Sequence, residues 1–237
     1  MKIAIMQPYF VPYIGYFQLI NSVDRFVIYD NIKYTKKGWI NRNRILVNAK
    51  DEYISLPLKK DSDYLFVNQR FLSENFEKDR LKILNKIKVC YKKSPNYEEA
   101  LYLVEELFSF NSTNLFDFIY NSIKIICNYL EIKTEIIVSS TIDINHNLKS
   151  EEKVLAICKN LKAKTYINPF GGLTLYDYSN FKQNQIKLKF IKPNPIQYPQ
   201  FNNEFVPWLS IIDLLMFNGV EKVKQIIKKE FQLVENE

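Results

Sequence analysis

The sequence predicts an α/β fold built on a mainly parallel sheet, and three observations carry that expectation. Short apolar runs alternate with stretches of helical periodicity along most of the chain. The first strand–helix–strand unit is complete by Asp30, a connection suited to parallel strands. A 47% apolar and 25% charged composition over 237 residues is enough to cover both faces of such a sheet.

Lys2 to Met6 reads as a buried strand, and Gln7 to Pro12 as a loop punctuated by Pro8 and Pro12. A helix is expected from about Tyr13 to Asn21, then a second buried strand over Arg25 to Tyr29. Two more strands are expected near Arg44 to Val47 and Tyr53 to Leu58, with Pro57 marking an edge or a strand end. Glu74 to Tyr91, Tyr97 to Phe110 and Leu115 to Leu130 keep helical spacing, so residues 73–131 form a helical insertion in a single domain spanning 1–237. Alternation then resumes with a strand at Glu135 to Val138, a helix at Ser150 to Leu161, and strands at Thr165 to Asn168 and Ile186 to Ile191. Two helices, Pro207 to Phe217 and Val220 to Phe231, are expected to close the chain, with Gly219 capping the first.

Several classes are disfavoured. No apolar run approaches the ~20 residues that span a bilayer, and the apolar start is too short for a signal peptide, so a cytoplasmic protein is expected. Cys90, Cys127 and Cys158 are odd in number and scattered, which argues for reduced, buried thiols. The net charge of +7 comes from lysines spread along the chain, a composition bias more than a basic face. No metal site is expected, because His146 is the lone histidine, read as a surface residue.

In an open parallel sheet, ligands bind where strands end. The loop after the first strand, with Gln7, Tyr9, Tyr13 and Tyr16, is therefore the first candidate site. Gly15 lets something pack closely on the helix start, whose free N–H groups suit an anion. The placement of Tyr13-Ile14-Gly15-Tyr16 is similar to that of the histidine-x-glycine-histidine signature in nucleotidylyltransferases, with tyrosine at each histidine. This suggests a Rossmann-like fold distantly similar to theirs, without their imidazoles.

A second candidate follows the second strand. Asp30 sits at a strand end, where a catalytic carboxylate or a sugar-hydroxyl ligand is common. Lys33 and Arg42 suit phosphate, and Trp39 suits a base or sugar ring, with Asn41 between them. Further along, Ser139-Ser140 follows a strand and offers hydroxyl and N–H donors or a simple turn. Gly171-Gly172, ahead of Tyr176, allows close backbone approach. Asp213 lies in a helix apolar all round, one turn beyond Ser210. Such an aspartate acts as a general base, orients Arg42 or Tyr13, or sits in a structural ion pair.

Gln7-Pro8-x-Phe10-x-Pro12-Tyr13-x-Gly15-Tyr16-Phe17, then Asp30, Lys33, Trp39, Asn41 and Arg42, resembles the WbqC-like protein family. Ser139-Ser140, Tyr166 with Gly171-Gly172 and Tyr176, Tyr198, and Ser210 through Asp213 extend the resemblance over nearly the whole chain. It implies a bacterial, cytosolic step in O-antigen or other surface polysaccharide assembly. The expected activity is a transferase or ligase adding an acyl or aminoacyl group to a nucleotide-linked amino sugar. The donor would be a carrier protein, coenzyme A or a charged tRNA. Asp30 or Asp213 would take the proton, with Tyr16 in the catalytic set. Two alternatives stay open: a nucleotidylyltransferase with tyrosine for histidine, and a non-catalytic sugar-nucleotide binding subunit.

Overall fold

The computed structural model describes residues 1–235. Along the chain run β1 (Lys2–Met6), α1 (Ile14–Asn21), β2 (Arg25–Ile28), β3 (Arg42–Val47) and β4 (Lys50–Ser55). Helices α2 (Phe76–Tyr91), α3 (Tyr97–Ser109) and α4 (Leu115–Tyr129) follow. Then come β5 (Glu135–Val138), α5 (Ser150–Asn160), β6 (Thr165–Pro169), α6 (Tyr178–Gln183), β7 (Lys187–Pro193), α7 (Ile211–Lys229) and β8 (Phe231–Glu235).

Six strands form one sheet in the order β5-β2-β1-β6-β7-β8. All neighbours are parallel except β8, which runs antiparallel to β7. The chain builds outward from β1 through β2 to β5, then returns to lay β6 on the other flank of β1. The connections therefore diverge between β1 and β6, which opens a crevice at the carboxyl ends of these two strands.

Strand alternation fills both faces of the sheet. In β1, Ala4 faces a core shared with α1, α3, α4 and α7, while Ile3 and Ile5 face a second core with Val154, Ile157 and Phe181 of α5 and α6. In β2, Phe26 and Ile28 turn to the first core and Val27 to the second. Both faces are covered, so these strands read as continuous apolar runs. No helix among the described residues is long and apolar enough to cross a membrane.

The structure departs from the sequence expectations in three places. β3 and β4 pair antiparallel in a separate two-stranded sheet, closed by Asn48 (φ 47°) and Ala49 (φ 66°). Two consecutive positive φ values are those of a tight I′ hairpin turn, whose sequence signal was hidden because alanine stands where glycine is usual. The last helix starts at Ile211, with Ser210 as its cap, so Pro207 and Trp208 lie outside it. Gly219 (φ 70°) breaks the helical geometry inside α7, so the two helical segments expected on either side of it are present, but Phe231–Glu235 forms strand β8, which was not foreseen.

Ala49 is exposed and left-handed, a conformation costing a non-glycine residue about 1–2 kcal/mol. Ala49→Gly relieves that strain and should raise stability by ~0.5–1 kcal/mol in urea titrations; an unchanged or lower midpoint would show the turn is unstrained.

Candidate functional site

The loop between β1 and α1 is held by its own backbone carbonyls. Val11 takes φ 38°, an unusual conformation for a β-branched residue. Its carbonyl accepts from the buried Asn43 amide and, at 2.7 Å, from Ser210 Oγ. Asn43 also donates to the Phe10 carbonyl at 3.2 Å, and its own oxygen accepts from Arg44 N at 2.7 Å. Phe10 N donates to Ile40 O, and Ile211 N donates to Pro12 O. β3 and the start of α7 thus sew down the loop from both sides.

The side chains of this loop line a groove on the α1 side of the sheet. Gln7, Tyr9, Tyr13, Gly15 and Tyr16 surround a cavity of about 330 Å³ together with Trp39, Arg44, Pro169 and Trp208. Tyr13 and Trp208 also wall two neighbouring hollows, one of about 330 Å³ beside Gly171 and one of about 940 Å³ under residues 193–209. Trp208 is 55% exposed with φ 61°, and its ring meets Tyr13 edge-on at 5.9 Å. Trp208 thus combines an exposed ring with a backbone conformation that costs a non-glycine residue free energy, at the mouth of the cavity. Side-chain space at Gly15 is taken by the Tyr13 ring, so Gly15 sets the position of Tyr13, and the close neighbour expected there is the protein's own.

Tyr16 is buried, and its hydroxyl donates to the Gln7 carbonyl at 3.0 Å. Burial pushes its phenol far above the ordinary range, so it is a neutral donor that fixes Gln7. Burial likewise raises Tyr9 and Tyr13, which lack charge at neutral pH.

On the opposite face of the sheet edge lies a second cavity of about 890 Å³, which shares Met6 and Gln7 with the first. Its walls include Tyr29, Asn31, Lys33, His146, Lys149, Lys153, Asn168 and Tyr176. Of the residues singled out from sequence, Lys33 and Tyr176 come here. His146 is half-buried, not a free surface group: Asn31 Nδ2 lies 3.0 Å from Nδ1, and Nε2 lies 3.0 Å from the Ile142 carbonyl.

The two carboxylates lie behind the cavities. Asp30 is 2% exposed and accepts from Ser139 Oγ (2.8 Å), Ser140 N (2.9 Å) and Asn68 Nδ2 (2.7 Å), which ties β2 to β5 and to the segment before α2. Ser139 and Ser140 are therefore partners of Asp30. Asp213 is fully buried and accepts from Tyr91 OH, Tyr198 OH and Gln200 Nε2, at 2.8, 2.5 and 2.8 Å. It orients neither Arg42 nor Tyr13, and it pairs with no cation among the described residues. Instead it anchors Tyr198 and Gln200, and with them the strap of residues 194–209 that carries Trp208.

Arg42 donates to the Gly38 and Lys37 carbonyls and stacks on Tyr53, which closes its own loop. Asn41 bonds Leu56 O and Tyr34 OH. The arginine at the cavity is Arg44, missed by sequence reasoning; it salt-bridges Asp51 and lies over Trp39 at 5.4 Å. Two residues apart on β3, Arg42 and Arg44 share a strand face, and sequence alone does not say which one reaches the loop. Gly171 lines the groove, whereas Gly172 is buried against the Asn168 amide. Lys149, Lys153, Asn31 and Trp208 were likewise missed. Cys127 and Cys158 are buried, with thiols pushed up to about 12, and are no thiolates at neutral pH.

Burial raises the Asp213 carboxyl, against the opposing pull of its hydrogen bonds from Tyr198, Gln200 and Tyr91. A raised carboxyl makes the native state take up a proton before the unfolded chain does. Its contribution to stability is therefore greatest below the unfolded value of ~3.9 and is lost as pH rises through the native value. Asp213→Asn lacks this contribution and leaves one hydroxyl without an acceptor, a cost of ~1–3 kcal/mol. The gap in melting temperature between wild type and variant should widen as pH falls from 7 to 4; a constant gap would show that Asp213 does not titrate there.

The uncharacterised protein Rv1507c of Mycobacterium tuberculosis is 27% identical over 235 residues, covering 93% of this chain and 95% of that one. No solved structure matches the chain. The WbqC-like protein family matches residues 7–225, from Gln7 of the sewn-down loop to beyond the kink of α7, and the chain belongs to that family.

Proposed function

We propose that this protein is a cytoplasmic transferase or ligase that joins an acyl or aminoacyl group to a nucleotide-linked amino sugar for O-antigen or other surface polysaccharide. The observation that supports this most is the pair of cavities sharing Met6 and Gln7 where the sheet connections diverge. A single extended substrate can lie across that shared wall, with its sugar on one side and its nucleotide on the other. Tyr13 and Trp208 present aromatic faces to the sugar and acyl group, and Arg44 presents a cation beside them. The hollow under residues 193–209 gives room for a second substrate.

In this reading Asp30 and Asp213 position the site rather than move protons, because protein donors surround both. Tyr16 holds the Gln7 backbone, so Gln7 stands at the wall that the extended substrate would cross. The geometry favours nucleotidyl transfer less. The tyrosines in place of histidines are neutral, and the Tyr16 hydroxyl is already engaged.

The reading is tested by incubating the protein with a nucleoside-diphosphate amino sugar and each donor class in turn: acyl-coenzyme A, an acyl carrier protein and aminoacyl-tRNA. Mass spectrometry should show a sugar nucleotide heavier by one acyl or aminoacyl group with one of them. Tight binding of the sugar nucleotide with no product from any donor would replace this reading with a binding subunit. Trp208→Ala removes a half-exposed ring, so folding should survive while affinity for the sugar nucleotide falls about tenfold by calorimetry. Unchanged affinity would remove Trp208 from the site.

A further inference from the structure

Lys153 is an anomaly in this fold. It stands on the first turns of α5, is 3% exposed, and lines the cavity on the α5 side. No carboxylate oxygen lies within salt-bridge reach of it among the described residues. Its ammonium has two neutral oxygens, from the His146 carbonyl at 3.3 Å and Asn31 Oδ1 at 3.5 Å, and it lies over the Tyr29 ring at 4.8 Å. A buried cation without an anion is costly unless a ligand supplies the missing charge. Burial accordingly pulls its pKa below the ordinary lysine value, and the nearby Asp30 only partly offsets that.

The rest of the cavity has the same bias. Lys33 and Lys149 line it as well. Among the described residues its one lining carboxylate is Glu151, which accepts from Asp177 N and from Asn180 Nδ2, both at 2.6 Å; Glu152, the other acid in the first turn of α5, does not line the cavity. α5 begins at this wall, and no side chain caps it. Its first N–H groups, which have no intrahelical acceptor, therefore add donors and the positive end of the helix dipole. Tyr29 and Tyr176 supply aromatic surface beside the three lysines.

We propose that this cavity is a diphosphate subsite, in which Lys153, Lys33, Lys149 and the open first turn of α5 hold the phosphates of a nucleoside diphosphate group, with Tyr29 and Tyr176 against the nucleoside. The assignment rests on the reading of the two cavities as one substrate site, and it names which end of the substrate lies on which face of the sheet. Two sources carry the same chemistry, a sugar nucleotide and coenzyme A, since both contain a nucleoside-linked diphosphate. The buried Lys153 in the wall, with the exposed Lys33 and Lys149 on the same rim, favours a diphosphate over a single carboxylate.

The test is calorimetric titration of the full chain with UDP, GDP, coenzyme A and inorganic pyrophosphate, with uridine as the phosphate-free control. At least one diphosphate ligand should bind tenfold or more tightly than uridine, and Lys153→Met should lose at least tenfold of that affinity. Lys149→Met changes an exposed side chain and keeps the test available if the buried variant fails to fold; it should weaken the same ligand severalfold. Lys153-dependent binding of UDP or GDP assigns the subsite to the sugar nucleotide, and Lys153-dependent binding of coenzyme A assigns it to the donor. Diphosphates that do not bind, or that bind wild type and both lysine variants alike, overturn the subsite. Acyl transfer to a sugar nucleotide that persists undiminished in both variants would do the same while leaving the proposed function intact. Lysine-dependent diphosphate binding without any transfer would do the reverse.

Discussion

The Val11 carbonyl is the point on which the site depends. One backbone oxygen receives the Asn43 amide from β3 and the Ser210 hydroxyl from the start of α7, and it holds a valine in a left-handed conformation that the chain would not choose alone. Three separate parts of the sequence meet at this oxygen. The loop from Gln7 to Tyr13 could otherwise sample many paths between β1 and α1. Fixed here, it places Tyr9 and Tyr13 in the groove and Gln7 on the wall between the two cavities. Leaving that carbonyl bare inside the core would cost about 1–3 kcal/mol for the unmet hydrogen bonds alone.

The buried carboxylates extend the same design. Asp30 collects donors from β5 and from the segment ahead of α2, so the end of β2 is held at a fixed distance from its neighbours. Asp213 holds the strap through Tyr198 and Gln200, and Ser210 N bonds Arg44 O next to it. The strap carries Trp208 to the groove, and the same stretch of β3 carries Arg44. Stability and site geometry are thus served by the same hydrogen bonds. Perturbing a carboxylate far from the groove is expected to reach the groove through the strap.

Much of this was legible in the sequence where the signal is local. The strand at Lys2 to Met6, the loop with its prolines, and the helices from Glu74 to Leu130 follow from apolar spacing and breakers. The prominence of Gln7, Tyr9, Tyr13 and Gly15 followed from the rule that sites form at strand ends, and these residues do line one cavity. What escaped depends on contacts between distant segments. Nothing around Asn43 announces that its amide reaches Val11, and nothing in PWLSI separates the strap residue Trp208 from the helix that follows. Arg42 and Arg44 are equivalent by pattern, and only the packing of the hairpin against the loop chooses between them. Lys153 sits in an ordinary-looking helix start and gains meaning in three dimensions, where no carboxylate among the described residues comes within salt-bridge reach of its buried ammonium.

The clamp on Val11 assembles the candidate site before any ligand arrives. Ser210→Ala tests it most directly, by comparing the thermal stabilisation that a nucleoside-diphosphate amino sugar gives to variant and wild type. The variant should fold with a modest loss of basal stability and show little or no ligand-induced shift, because the freed loop no longer presents Gln7 and Tyr13. A variant that melts lower yet shifts as much as wild type on adding the sugar nucleotide would contradict it.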